Sequence, residues 1–78
     1  MLNLEILSPT KKIYEGQISS IVLPGDLGSF GILPNHAPII STLSKGKIIW
    51  EANNKKEELE INGGVVEVIN NKVSVLVK

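Results

Sequence analysis

His36 is the only histidine in the chain, Asp26 is the only aspartate, and there is no cysteine. An imidazole does acid–base work when a carboxylate orients it and a nucleophile lies within hydrogen-bond reach. His36 sits in Pro34-Asn35-His36-Ala37-Pro38, where a proline on either side holds the chain extended. Asp26 lies well upstream, and nothing in their spacing marks Ser8 or Ser41 as a nucleophile. The expectation is a structural or interface role for His36 and no catalytic residue.

Metal chemistry fares no better. One histidine and scattered glutamates give no short-spaced ligand pair, so no metal site is expected. Glu58 and Glu60 share a face if their segment is extended, but solvated charge accounts for them. Gly25-Asp26-Leu27-Gly28-Ser29-Phe30-Gly31 has the spacing G-x-x-G-x-x-G, which is neither a dinucleotide fingerprint nor a P-loop, and no lysine follows it. No helix pattern follows it to hold an anion, so no cofactor is expected. The glycines read as suppliers of positive φ. Phe30, placed by this reading near a loop tip with Ile32 and Leu33 after it, is the first sign of an interface, because apolar groups at a loop tip are costly in water without a partner.

Lys55-Lys56 in a hairpin suggests a second class of function, a carrier domain of the lipoyl type with a modified lysine. That class predicts a symmetric layout around the hairpin, which this sequence lacks. A nucleic-acid groove is disfavoured: eight cations balance eight anions, every cation is lysine, and only Tyr14, Phe30 and Trp50 are aromatic.

These residues must be positioned by a small, strand-built frame. Seventy-eight residues make one small domain, residues 1–78. No apolar run exceeds four residues, so no membrane-spanning helix and no direct membrane insertion are expected. The start, Met1-Leu2-Asn3-Leu4-Glu5, alternates and carries no export signal, so the chain is expected to stay where it is made.

The dominant period is two. Leu2, Leu4 and Ile6 fall on one face, with Asn3 and Glu5 opposite. Ile13-Tyr14-Glu15 starts a second strand that Gly16 interrupts, and Ile18 with Ile21-Val22-Leu23 suggests a third. Pro24 to Pro38 holds three glycines and three prolines and reads as the least regular segment. Ile39 to Leu43 is extended again. Ile48-Ile49-Trp50 and Leu59-Glu60-Ile61 flank a hairpin with a long polar tip, Glu51 to Glu58. Val65 to Ile69 and Lys72 to Val77 flank Asn70-Asn71, the clearest hairpin, since asparagine tolerates the positive φ of a two-residue turn. The predicted fold class is all-β, a sandwich or small barrel, with Leu4, Ile6, Ile21, Leu23, Ile48, Ile61, Val66, Val68, Val73 and Val75 in its core.

The run from Leu23 to Pro38, with Gly31-Ile32-Leu33-Pro34-Asn35-His36-Ala37-Pro38 at its end, strongly resembles the signature of the epsilon subunits of F-type ATP synthases. Further matches follow in order: Leu43 with Gly46 and Ile48, Gly63 to Val68, and Val73 to Leu76. Leu4 to Ser8 and Tyr14-Glu15-Gly16 fit the family's opening strands. The ordered set covers essentially the whole chain.

The resemblance implies a flattened β-sandwich of about ten short strands. It implies a non-catalytic central-stalk subunit between the gamma subunit and the membrane c-ring, helping couple proton translocation to ATP synthesis. It also implies a peripheral place on the cytoplasmic side of a bacterial inner membrane. By position, Gly28, Ser29, Phe30 and Gly31 match the ring contact, and Ser8, His36 and Ser41 match the gamma contact. Ser29 stands where the family often carries an acid, so ring contact is expected to lean less on charge. The family's C-terminal helical hairpin has no counterpart before Lys78, so neither inhibition by extension nor ATP binding is expected of this chain.

Overall fold

The computed structural model describes residues 1–78, and every regular element in it is a strand. The nine strands are β1 (Leu2–Leu7), β2 (Lys12–Ile18), β3 (Ser20–Gly25), β4 (Gly28–Ile32), β5 (Ile39–Leu43), β6 (Gly46–Ala52), β7 (Lys55–Ile61), β8 (Gly64–Ile69) and β9 (Lys72–Val77). The strand count is nine where about ten are expected. Leu33–Pro38, which carries two prolines and hence two missing donors, joins no ladder.

The strands form one folded sheet in the order β2-β1-β9-β8-β5-β3-β6-β7, with β4 on the other side of β3. β5 meets β3 at the single pair Gly25↔Leu43. There the sheet turns over, so that β2-β1-β9-β8-β5 faces β4-β3-β6-β7 across the core, a β-sandwich. Tyr14 of β2 packs on Trp50 of β6, centroids 4.8 Å apart, where the two layers approach again.

Alternation decides what is buried. All ten residues expected in the core are buried, and Leu2, Ile18, Ile32, Leu43, Trp50 and Val77 join them in one cluster of 16. A cluster of aliphatic side chains on both inner faces is what holds two sheets together at roughly 25 cal/mol for each Å² of apolar surface removed from water.

Three local expectations are corrected. β2 runs through Gly16 without interruption and includes Ile18, which pairs with Leu2. The Tyr14 ring lies over Gly16, where an added Cβ would stand 3.0 Å from the phenol oxygen. The polar tip between β6 and β7 is only Asn53-Asn54, at φ 53° and 62°, and the ladder runs on through Ala52↔Lys55. Two consecutive asparagines in the left-handed region make the tight turn that matches strand twist. Lys55 and Lys56 therefore lie in β7, not at the apex. The stretch read as irregular contains β4, which pairs along β3 from Ile21↔Ile32 to Gly25↔Gly28.

Candidate functional site

The β3–β4 hairpin turns on Asp26-Leu27. Its geometry needs glycine twice. A Cβ on Gly25 would meet the Phe30 ring at 2.7 Å and the Gly28 carbonyl oxygen at 2.8 Å, and Gly28 has φ 128°. Asp26 ties the turn to β5: its carboxylate accepts a hydrogen bond from the Thr42 hydroxyl. The Asp26 N–H also reaches the Thr42 carbonyl oxygen at 3.4 Å.

Phe30 is not at the tip. It pairs with the buried Leu23, and directly opposed residues project to the same side, so its ring turns inward and packs against the core. Ser29, paired with Pro24, and Gly31, paired with Val22, face out. The apex side chain is Leu27, which is fully exposed. A cleft of about 660 Å³ separates this hairpin from β5 and is lined by Leu27, Ser29, Phe30, Ile39, Ile40 and Ser41 among others.

Ser41 therefore stands beside the residues matched to the ring contact, apart from its expected companions. It pairs with the buried Val66, so it lies on the inner-facing side, and its hydroxyl donates to the Thr42 carbonyl oxygen at 3.1 Å. Ser8 and His36 occupy opposite ends of the β1-β9-β8-β5 layer. Ser8 follows Leu7, which pairs with Leu76 near the end of β9. Its hydroxyl organises its own turn, accepting from the Lys11 N–H at 3.2 Å. His36 sits in the β4–β5 loop beside the β8–β9 turn. The Asn35 N–H donates to Asn71 Oδ1 at 2.6 Å and fixes that loop. His36 is exposed, and its Nδ1 lies 2.7 Å from the Ala37 carbonyl oxygen.

Between Ser8 and His36 the outer face carries four exposed apolar side chains among Glu5, Thr42, Glu67, Lys72 and Ser74. Ile40, at 73% exposure, pairs with Glu67, and Glu67 pairs with Ser74. Val65 pairs with Leu76 one step along, and Ile69 lies one step the other way. Ile40, Val65, Ile69 and Leu76 thus flank the Glu67 carboxylate. Pro38, Ile40, Glu67 and Ile69 line a shallow hollow of about 350 Å³. The reading of the sequence missed these four residues. The available signal was apolar residues out of phase with the alternation: Ile40 beside Ile39, Val65 beside Val66, Ile69 beside Val68, and Leu76 between two valines.

Resolved charge perturbation lies elsewhere. Lys12 bridges Glu15 at 2.8 Å and Glu5 at 3.6 Å. The hydrogen bond and attraction to Glu15 hold the Lys12 ammonium above its ordinary range, and the same bond holds the Glu15 carboxyl below its own. Both groups are solvated, so the pair is a surface feature of small worth. No group of three or more histidine, cysteine, aspartate or glutamate side chains is arranged to hold a metal ion. No helix is long and apolar enough to cross a membrane.

Comparison with known proteins bears on this arrangement. The ATP synthase epsilon chain of Leptospira borgpetersenii is 44% identical over 75 residues, which is 96% of this chain and 59% of that relative. The ATP synthase epsilon chain of Desulfitobacterium hafniense is 44% identical over 73 residues, covering 94% of this chain and 55% of that one. The chain thus spans somewhat over half the length of these relatives. A chain of the Euglena gracilis mitochondrial ATP synthase superimposes with a TM-score of 0.92 at 22% identity, covering 97% of this chain and 49% of that one. A chain from the Tetrahymena thermophila mitochondrial ATP synthase central stalk and c-ring gives 0.80 at 19%, covering 97% and 62%. At such identity these two likenesses speak for the fold. The sequence model of the family described as ATP synthase, Delta/Epsilon chain, beta-sandwich domain matches residues 1–78, and the chain belongs to that family.

Proposed function

We propose that this chain is a non-catalytic rotor subunit of an F-type ATP synthase, peripheral on the cytoplasmic side of a bacterial inner membrane. In this role it joins the gamma subunit to the c-ring and helps couple proton translocation to ATP synthesis. Family membership supports the reading, and one observation carries it: the outer face of β5, β8 and β9 presents Ile40, Val65, Ile69 and Leu76 to water around Glu67. An apolar patch on a solvent face is the mark of a partner surface. Ser8 and His36 bracket that face, and we assign it to gamma. Ser41 borders the cleft, and its place in the gamma contact rests on family position alone.

The second surface is the β3–β4 hairpin, with Gly28, Ser29 and Gly31 exposed on it, which we assign to the ring. The two surfaces adjoin at Ile40, which lines the cleft beside the hairpin as well as the hollow of the outer face. Co-expression of the chain with gamma tests the reading. The two are expected to purify together as a stoichiometric complex that then retains c-ring from detergent extracts. Gamma purifying free of the chain would overturn the assignment.

A further inference from the structure

The hairpin assigned to the ring contains one side chain that the fold leaves wholly unused. Leu27 is fully exposed at the apex of the β3–β4 turn, while the other large apolar residue between Gly25 and Gly31, Phe30, is turned into the core. The sole charged residue between Gly25 and Gly31 is Asp26, whose carboxylate is taken by the Thr42 hydroxyl. The apex therefore offers its partner an aliphatic knob beside a carboxylate that is tethered to β5.

It is also held in place. The Asp26–Thr42 bonds pin the turn to β5, and Gly25 admits no side chain beside the Phe30 ring. A preorganised apolar group loses little freedom on burial, so its contact yields more affinity than a floppy one. Next to the knob, the cleft lined by Phe30 and Ile39 can receive an apolar side chain in return.

Resting on the reading that this hairpin meets the c-ring, we infer that Leu27 is the specificity-determining residue of that contact, acting by aliphatic packing against loops of the ring. Asp26 and Thr42 are positioning residues that aim it. The Leu27 contribution is then one of shape and apolar area, so the gap between Leu27 variants depends only weakly on ionic strength, unlike a contribution from a carboxylate.

The test uses the complex of gamma with this chain and vesicles containing c-ring, with sedimentation followed as the complex is titrated. Leu27→Gln is expected to raise the half-saturating concentration about tenfold or more, consistent with losing one buried leucine contact. Leu27→Met should stay within about twofold, Ser29→Ala should match the parent, and added potassium chloride should change the ratios between variants little. Because Leu27 touches nothing in the fold, all variants should share the parent's urea midpoint and retain gamma. Parent-like sedimentation of Leu27→Gln, or weakening by Ser29→Ala alone, overturns the inference while sparing the proposed function. Should the parent complex bind no better than gamma alone, the ring assignment itself fails.

Discussion

The Asn35 N–H donates to Asn71 Oδ1 at 2.6 Å, so the loop that carries His36 is fastened by a side chain from the β8–β9 turn. Asn71 has two tasks, since it also occupies the left-handed region at φ 63°. Glycine can do the second but not the first. Asn71→Gly is expected to cost about 1 kcal/mol through the lost hydrogen bond. Asn70→Gly, which keeps that bond and the turn, should be within about 0.5 kcal/mol of the parent. Urea unfolding of the two variants side by side checks this, and equal midpoints would count against the fastening.

Neighbouring positions on β8 should differ sharply. Val68 is buried and paired with Ile39 and Val73, whereas Ile69 faces out. Val68→Ala should cost about 1–3 kcal/mol through lost packing and the cavity left behind. Ile69→Ala should cost less than about 0.5 kcal/mol in the isolated chain. With this face bound to gamma as proposed, a co-purification assay should rank the two in the opposite order once stability is matched by temperature.

Glycines on the sheet should separate by what surrounds them. A Cβ on Gly64 would stand 2.3 Å from the Leu76 carbonyl oxygen and 3.1 Å from Val77 Cα, both backbone atoms that cannot swing away. Gly64→Ala is expected to cost about 2 kcal/mol or more, by forcing β8 and β9 apart. Gly31→Ala meets nothing nearer than 3.8 Å and should be tolerated. Thermal unfolding of both variants tests the contrast, and a tolerant Gly64 would mean a looser β8–β9 pairing.

On the outer face, a charge set in the apolar patch should break recognition without breaking the fold. Ile40→Asp sets a second carboxylate opposite Glu67 and should cost some stability, whereas Leu76→Asp exposes a carboxylate where the isolated chain has water, so its urea midpoint should move little. In the proposed gamma contact the same carboxylate would be desolvated, and retention of gamma should fall at least about tenfold. Phe30→Asp is expected to behave differently, lowering stability itself, because its ring lies against the core. Retained gamma with both Asp variants would refute the assignment of this face.

The Lys12–Glu15 pair predicts the sign of a small pH effect. The Glu15 carboxyl sits below its ordinary range when folded, so its contribution is present above the unfolded value and lost as pH falls through the folded one. The Lys12 ammonium sits above its range, so its contribution is present below the unfolded value and lost as pH rises through the folded one. Glu15→Gln should therefore narrow its stability gap from the parent in acid, and high salt should shrink the gap at neutral pH. A gap that widens in acid would reverse the assignment.

The sequence by itself determined the fold class, the family and the inner face of the sandwich. The family was legible in an ordered set of matches along the chain, and the other two are local: strict alternation sends Leu4, Ile6, Val66, Val68, Val73 and Val75 to one side, whatever the partner strand. Asn70-Asn71 likewise announced its turn, because asparagine tolerates positive φ in any context.

Only the tertiary structure decided how these strands meet. β1 lies parallel to β9, pairing Leu4 with Val73 from opposite ends of the chain. No local pattern states such a register. The same holds for both candidate surfaces. Phe30 was legible as an apolar residue among glycines, but its inward side was fixed by the pairing with Leu23, and that left Leu27 alone at the apex. Ile40, Val65, Ile69 and Leu76 become neighbours only through the registers of β5, β8 and β9. A strand's period says which side chains share a face, whereas long-range pairing says which faces become continuous.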